Sequence, residues 1–123
     1  MKRLALAAAL ATALSVAATL PAQAQESATL KKIKDTGSIT LGHRESSIPF
    51  SYYDDKQQVI GYSQELMLKV VDGIKAELKL AKIDTRLMPV TSANRITLIQ
   101  NGTVDIECGS TTNNLERQKQ VGF

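Results

Sequence analysis

The sequence contains one cysteine and one histidine in 123 residues. A single cysteine excludes an intrachain disulfide framework. With only one histidine beside it, a dedicated zinc site has no ligand set, and neither a metal nor another cofactor is expected. No glycine-rich phosphate loop is present, and the "GS" at 109–110 lacks the glycine frame of a nucleophile elbow. Internal repeats, low-complexity tracts and a second long apolar run are also missing. The basic excess is small: a formal charge of +3 falls to +1 once Lys2 and Arg3 are set aside, which argues against a nucleic-acid partner.

Those two basic residues open the chain. They precede an Ala-rich, uncharged stretch from Leu4 to Leu20, then Pro21 and the small-x-small triplet Ala22, Gln23, Ala24. This is the layout of a secretory signal peptide over residues 1–24, with cleavage after Ala24. The alternative, a membrane anchor, fits less well, because a spanning helix needs about 20 predominantly apolar residues and has no processing triplet. Cleavage would leave 99 residues, 25–123, enough for one small domain with a modest core.

The remaining chain alternates helix and strand patterns. "SATLKKIKDTG" predicts a helix capped by Ser27, with Leu30 and Ile33 on one face and Gly37 as its stop. Ile39 and Leu41 then alternate with polar neighbours, as a strand does. "SYYDDKQQVIG" has the pattern of a hairpin turning through Asp54 and Asp55. Ser63 is expected to cap the next helix, whose apolar stripe is Leu66, Met67, Val70, Val71, Ile74 and Leu78. "KIDTRLMPV" predicts a second strand, with Ile83, Thr85 and Leu87 on one side. Ser92 is expected to cap a short helix that ends at Asn101 and Gly102. "TVDIECG" predicts a third strand, in which Cys108 reads as a small buried hydrophobe. Asn113 or Asn114 then starts a last helical turn. The order predicts an α/β fold with a mostly parallel sheet flanked by helices, in which ligands bind beyond the carboxyl ends of the strands.

Three of the four arginines after residue 24 follow such strand ends: Arg44, Arg95 and Arg117, while Arg86 lies inside a strand. A guanidinium is a planar fork of five donors that fits a carboxylate bidentately and never loses its charge. Gathering three in one crevice costs repulsion unless anions arrive. Each stands near hydroxyls: Ser46 and Ser47, Thr91 and Ser92, then Ser110, Thr111 and Thr112. The plainer reading pairs Arg44 with Glu45 and Arg117 with Glu116, as ordinary surface ion pairs. Phe50, at the rim after Pro49, is either core packing or a surface for a ligand's aliphatic part; Tyr52 and Tyr53 read as core. His43 has no acid or nucleophile spaced to it by a recognisable motif and reads as structural rather than as a general base.

"LKKIKDTGSITLGHRESSIPFSYYDDKQQVIGYSQEL" and "LMPVTSANRITLIQNGTVDIECGSTTNNLERQKQVGF", together with the leader, resemble the solute-binding proteins of ABC amino-acid importers (bacterial extracellular solute-binding protein family 3), in their glutamate/aspartate-binding branch. The resemblance implies a two-lobed periplasmic-binding-protein fold of type II, each lobe an α/β sheet, acting as a monomer in the periplasm. The ligand would be L-glutamate or L-aspartate, handed to an inner-membrane ABC permease, with no catalysis. Carried over from the family pattern, Arg117 would clamp the α-carboxylate, and Ser110 and Thr112 would complete the head-group site. Arg44, Ser92 and Arg95 would hold the side-chain carboxylate. Because members run to more than twice this length, residues 25–123 are expected to be part of the first lobe, with the hinge and second lobe outside the sequence and binding weak in their absence. Two other functions fit the same scaffold: a dehydratase-type enzyme, with His43 and Glu45 as its only acid–base candidates, and a sensory module.

Overall fold

The computed structural model describes residues 27–123; the expected signal peptide lies outside the described residues. The first helix, α1 (Ala28–Thr36), ends where Gly37 takes a left-handed φ of 66° and returns its N–H to the Ile33 carbonyl. Ser27 precedes α1 as expected, but its side chain makes no capping bond. Its carbonyl instead accepts from the Lys31 N–H at 2.9 Å.

Strand β1 (Ser38–His43) follows at once and is the centre of the molecule. It pairs in parallel with β5 (Asp84–Pro89) along its full length and with β6 (Ile106–Glu107) at its carboxyl end. The sheet order is β5-β1-β6, so the predicted parallel sheet with flanking helices is the one observed. A second, antiparallel sheet is built from β2 (Ser46–Ser47), β3 (Ser51–Tyr53) and β4 (Val59–Ile60). The β3–β4 hairpin is the one expected, and Asp54 closes its turn by accepting from the Lys56 and Gln58 N–H groups. The two serines of β2 carry no strand pattern of their own; the pairing of Ser46 with Tyr52 and Ser47 with Ser51 makes the strand.

Helix α2 (Tyr62–Glu77) is entered through Gly61, not through a Ser63 cap. Ser63 lies inside the first turn, buried, and its backbone N–H donates to the Phe50 carbonyl at 2.8 Å. Gly61 has φ 117°, and a Cβ there would sit 2.5 Å from the Phe50 carbonyl oxygen, so this junction is open only to glycine. Four of the six residues in the expected apolar stripe of α2 are used: Met67 and Val71 are buried, with Ile74 and Leu78 packed beside them, whereas Leu66 and Val70 are exposed. The helix packs against β1 and against β3 and β4 of the second sheet.

Ile33, Ile39, Leu41, Met67 and Val71 form the buried core, with Ile83, Ile106 and the half-buried Cys108 against it. Ile83 precedes β5 and packs, while Leu87 on the outer strand is exposed, contrary to the shared face expected of them. On the other face of β1, Val90 and Val104 approach so closely that a side chain at Gly42 would meet both, at 3.2 and 3.0 Å. A polar tie fixes α1 to the sheet. The buried Asp105 carboxylate accepts from Lys32 Nζ at 2.8 Å and from the Thr40 N–H at 2.9 Å. Helices α3 (Arg95–Gln100) and α4 (Leu115–Gln118) follow β5 and β6.

Candidate functional site

The carboxyl ends of three parallel strands lie side by side, and the segments leaving them carry Arg44, Arg95 and Arg117. The α/β connectivity produces this, because the three strands of this sheet run the same way and the segments leaving their carboxyl ends emerge on one edge. Arg44 leaves β1 directly. Its N–H donates to Ser51 Oγ at 2.9 Å, and that hydroxyl returns a bond to the Arg44 carbonyl at 3.1 Å. Ser51 is fully buried, so the backbone of Arg44 is fixed while its side chain reaches outward. Nη1 donates to Ser92 Oγ at 3.2 Å, a contact across 48 residues of sequence.

Ser92 therefore serves the arginine instead of capping α3. The N-cap position belongs to Asn94, and the turn before it is closed reciprocally: the Thr91 N–H donates to Asn94 Oδ1 at 2.8 Å and the Asn94 N–H to Thr91 Oγ1 at 3.2 Å. Arg95, the first residue of α3, is only 5% exposed. Its Nη1 lies 3.9 Å from Glu107 Oε1, inside ion-pair range and too long for a hydrogen bond. Arg95 Nε, Arg95 Nη1 and Glu107 Oε1 are all buried without a hydrogen-bond partner among the described residues.

The loop after β6 contributes the remaining groups. Thr111 Oγ1 donates to Glu107 Oε2 at 2.6 Å. Ser110 and Thr112 are exposed. Asn114 caps α4 by accepting the Arg117 N–H at 2.9 Å, as its expected start required, and Arg117 Nη1 donates to the Thr112 carbonyl at 2.9 Å. Arg117 is thus bonded to the loop and not to Glu116, which pairs with Lys119 at 2.8 Å. Phe50 is 45% exposed at the 48–50 turn, where Ile48–Pro49 is a cis peptide.

Arg44 is bonded to Ser92, and Arg95 faces Glu107, which Thr111 holds. Gly109 borders both sets: a Cβ there would stand 2.7 Å from Glu107 Oε1 and 3.5 Å from Arg44 Cγ. Among the described residues no hydrogen bond or ion pair joins either set to Arg117, whose side chain donates to the Thr112 carbonyl. A cavity of about 400 Å³ opens on the β6 side, lined by Arg95, Glu107 and Thr111 with Ile96, Ile99 and Phe123. Its lining does not include Arg44, Ser92, Ser110, Thr112 or Arg117, so this cavity lies beside the arginine edge and shares Arg95 and Glu107 with it.

Glu107 and Thr111 are the members of these sets that sequence reasoning missed as site residues. The available signal was an acid at the carboxyl end of a parallel strand, beside three arginines. His43 is buried, edge-on to Tyr53 at 5.4 Å, with Nδ1 on the Arg44 carbonyl at 3.2 Å, which is the structural role expected of it.

Residues 39–123 match the family described as bacterial extracellular solute-binding proteins, family 3. The chain belongs to that family. Among curated relatives it is 65% identical over 96 residues to the L-glutamate/L-aspartate-binding protein of Pseudomonas aeruginosa. It is 57% identical over 95 residues to the glutamate/aspartate import solute-binding protein of Escherichia coli K12. Each match covers 77% of this chain and 32% of the relative, so the chain spans about a third of the length of these relatives. Among solved structures, the cysteine-binding protein of Campylobacter jejuni matches with a TM-score of 0.63 at 29% identity, covering 75% of this chain and 36% of that one. Domain 1 of an arginine-binding protein, TmArgBP, shares the fold, with a TM-score of 0.62 at 18% identity; 73% of this chain and 64% of that domain are covered.

Proposed function

We propose that this family member binds acidic amino acids, L-glutamate or L-aspartate, outside the cytoplasm and delivers them to an inner-membrane ABC permease. Residues 1–24 act as the export signal to the periplasm, and residues 25–123 form part of one lobe of a monomeric binding protein. Arg44, Ser92 and Arg95 hold the side-chain carboxylate. Ser110, Thr112 and Arg117 hold the amino-acid head group, and Phe50 borders the ligand's aliphatic portion.

The observation that carries the reading is the Arg44–Ser92 bond beside the buried Arg95, which supplies two guanidinium groups and a hydroxyl at adjacent strand ends. Burying a second carboxylate is expensive unless it meets paired, hydrogen-bonded cations. A neutral amide would leave one guanidinium without its anion. The identity of 65% to a protein named for L-glutamate and L-aspartate supports the same ligand class.

Binding without catalysis fits the burial of His43, whose ring nitrogen is bonded to backbone and whose ring lies edge-on to Tyr53. Titration calorimetry of the full-length protein against glutamate, aspartate, glutamine and asparagine tests the reading. Micromolar binding of the two acids with much weaker binding of the amides is the expected result. Equal affinity for acids and amides would sink it.

A further inference from the structure

We infer that Glu107 is a positioning residue for ligand selectivity: anchored by Thr111, it holds Arg95 at the strand end so that the guanidinium is ready for the ligand's side-chain carboxylate. The inference rests on the reading of Arg95 as a ligand for that carboxylate.

The geometry of Glu107 is what a buried anchor requires. Its side chain and that of Arg95 are each only 6% exposed, so both charges are removed from water and each needs the other as its counter-charge. One carboxylate oxygen is fixed by the short bond from Thr111 Oγ1. The other faces Arg95 Nη1 at 3.9 Å, close enough to compensate charge without occupying the donor in a hydrogen bond. Arg95 Nε and Nη1 are left buried with no acceptor, a costly state for a guanidinium that an arriving carboxylate relieves. Gly109 keeps the space beside Glu107 Oε1 free of any side chain. Glu107 therefore acts on Arg95, one of the two arginines that the proposed site uses for the side-chain carboxylate.

Among the described residues Glu107 is the carboxylate within ion-pair range of Arg95, so without its charge the buried guanidinium loses the counter-charge that holds it in place. Arg44 and the head-group residues are untouched by that change. The loss then falls on the side-chain carboxylate alone, which a general loss of folding would not mimic.

The test is titration calorimetry on the full-length protein and its Glu107→Gln, Thr111→Val and Thr111→Ser variants, each with glutamate and glutamine. The expected result is an intact preference for glutamate in the parent protein. Glu107→Gln lowers that preference about tenfold with glutamine affinity unchanged. Thr111→Val shifts it in the same direction, and Thr111→Ser, which keeps the hydroxyl, restores it. Equal losses for both ligands, or an unaltered preference, overturn the role of Glu107 while leaving the acidic-ligand reading in place. A parent protein with no preference for glutamate overturns both. Thr111→Val retains every charge and carries the same comparison if Glu107→Gln does not fold.

Discussion

Arg44 donates from Nη1 to Ser92 Oγ at 3.2 Å, joining the segments that leave β1 and β5. The acceptor is a hydroxyl, so the bond orients the guanidinium without neutralising it. In the full-length protein Arg44→Met is expected to remove the preference for glutamate over glutamine, at a cost of about 2 to 5 kcal/mol in glutamate binding. Arg117→Met should weaken glutamate and glutamine alike. Calorimetry with both ligands checks it, and the same selectivity profile in both variants would refute the division of the two carboxylates.

Residues 25–123 alone present Ser110, Thr112 and Ser92 to solvent. Ion pairs formed in water are weak. This segment is expected to bind L-glutamate no tighter than about millimolar, near −4 kcal/mol, against about micromolar, near −8 kcal/mol, for the full-length protein. Micromolar binding by the segment would show that one wall suffices.

Two glycines should respond in opposite senses. Gly61→Ala puts a Cβ 2.5 Å from the Phe50 carbonyl oxygen at a φ of 117°, and should destabilise the fold by about 2 kcal/mol or more. Gly73 lies within α2 with nothing within 4 Å of where its Cβ would be, so Gly73→Ala should stabilise by about 0.5 to 1 kcal/mol. Urea denaturation of the two variants measures both signs.

Asp105→Ala removes one acceptor from both Lys32 and the Thr40 N–H. The partners are unequal: the amide stays inside the sheet, while Lys32 is 41% exposed and can return to water. Asp105→Ala is therefore expected to cost about 1 to 3 kcal/mol, and Lys32→Ala less than about 1. Equal costs in chemical denaturation would place the main contribution on the ion pair.

The succession of strands and helices, the stop at Gly37 and the arginines at strand ends were legible because each depends on local pattern: period-two apolar residues, a left-handed glycine, and parallel connectivity. The caps at Ser63 and Ser92 were misread because a capping side chain is identified by backbone geometry, not residue type. Gly61 bends the chain two residues before Ser63, and the Thr91–Asn94 pair closes the turn that would have used Ser92. The exposure of Leu66 and Val70 depends on which elements pack against α2, which no helical period encodes. Glu107 was overlooked for a related reason. Its neighbour Arg95 is 12 positions away in sequence and meets it only after β6 has paired with β1.

Gly109 is not selected for bending the chain, since its φ lies outside the left-handed region. It acts as a ruler. With hydrogen as its side chain, it sets how near a buried anion and the aliphatic stem of a cation can come, and even a methyl group there would lengthen that interval by displacing Glu107 Oε1. The approach of an acid to the stem of a base at this strand end is thus written in a residue that carries no charge.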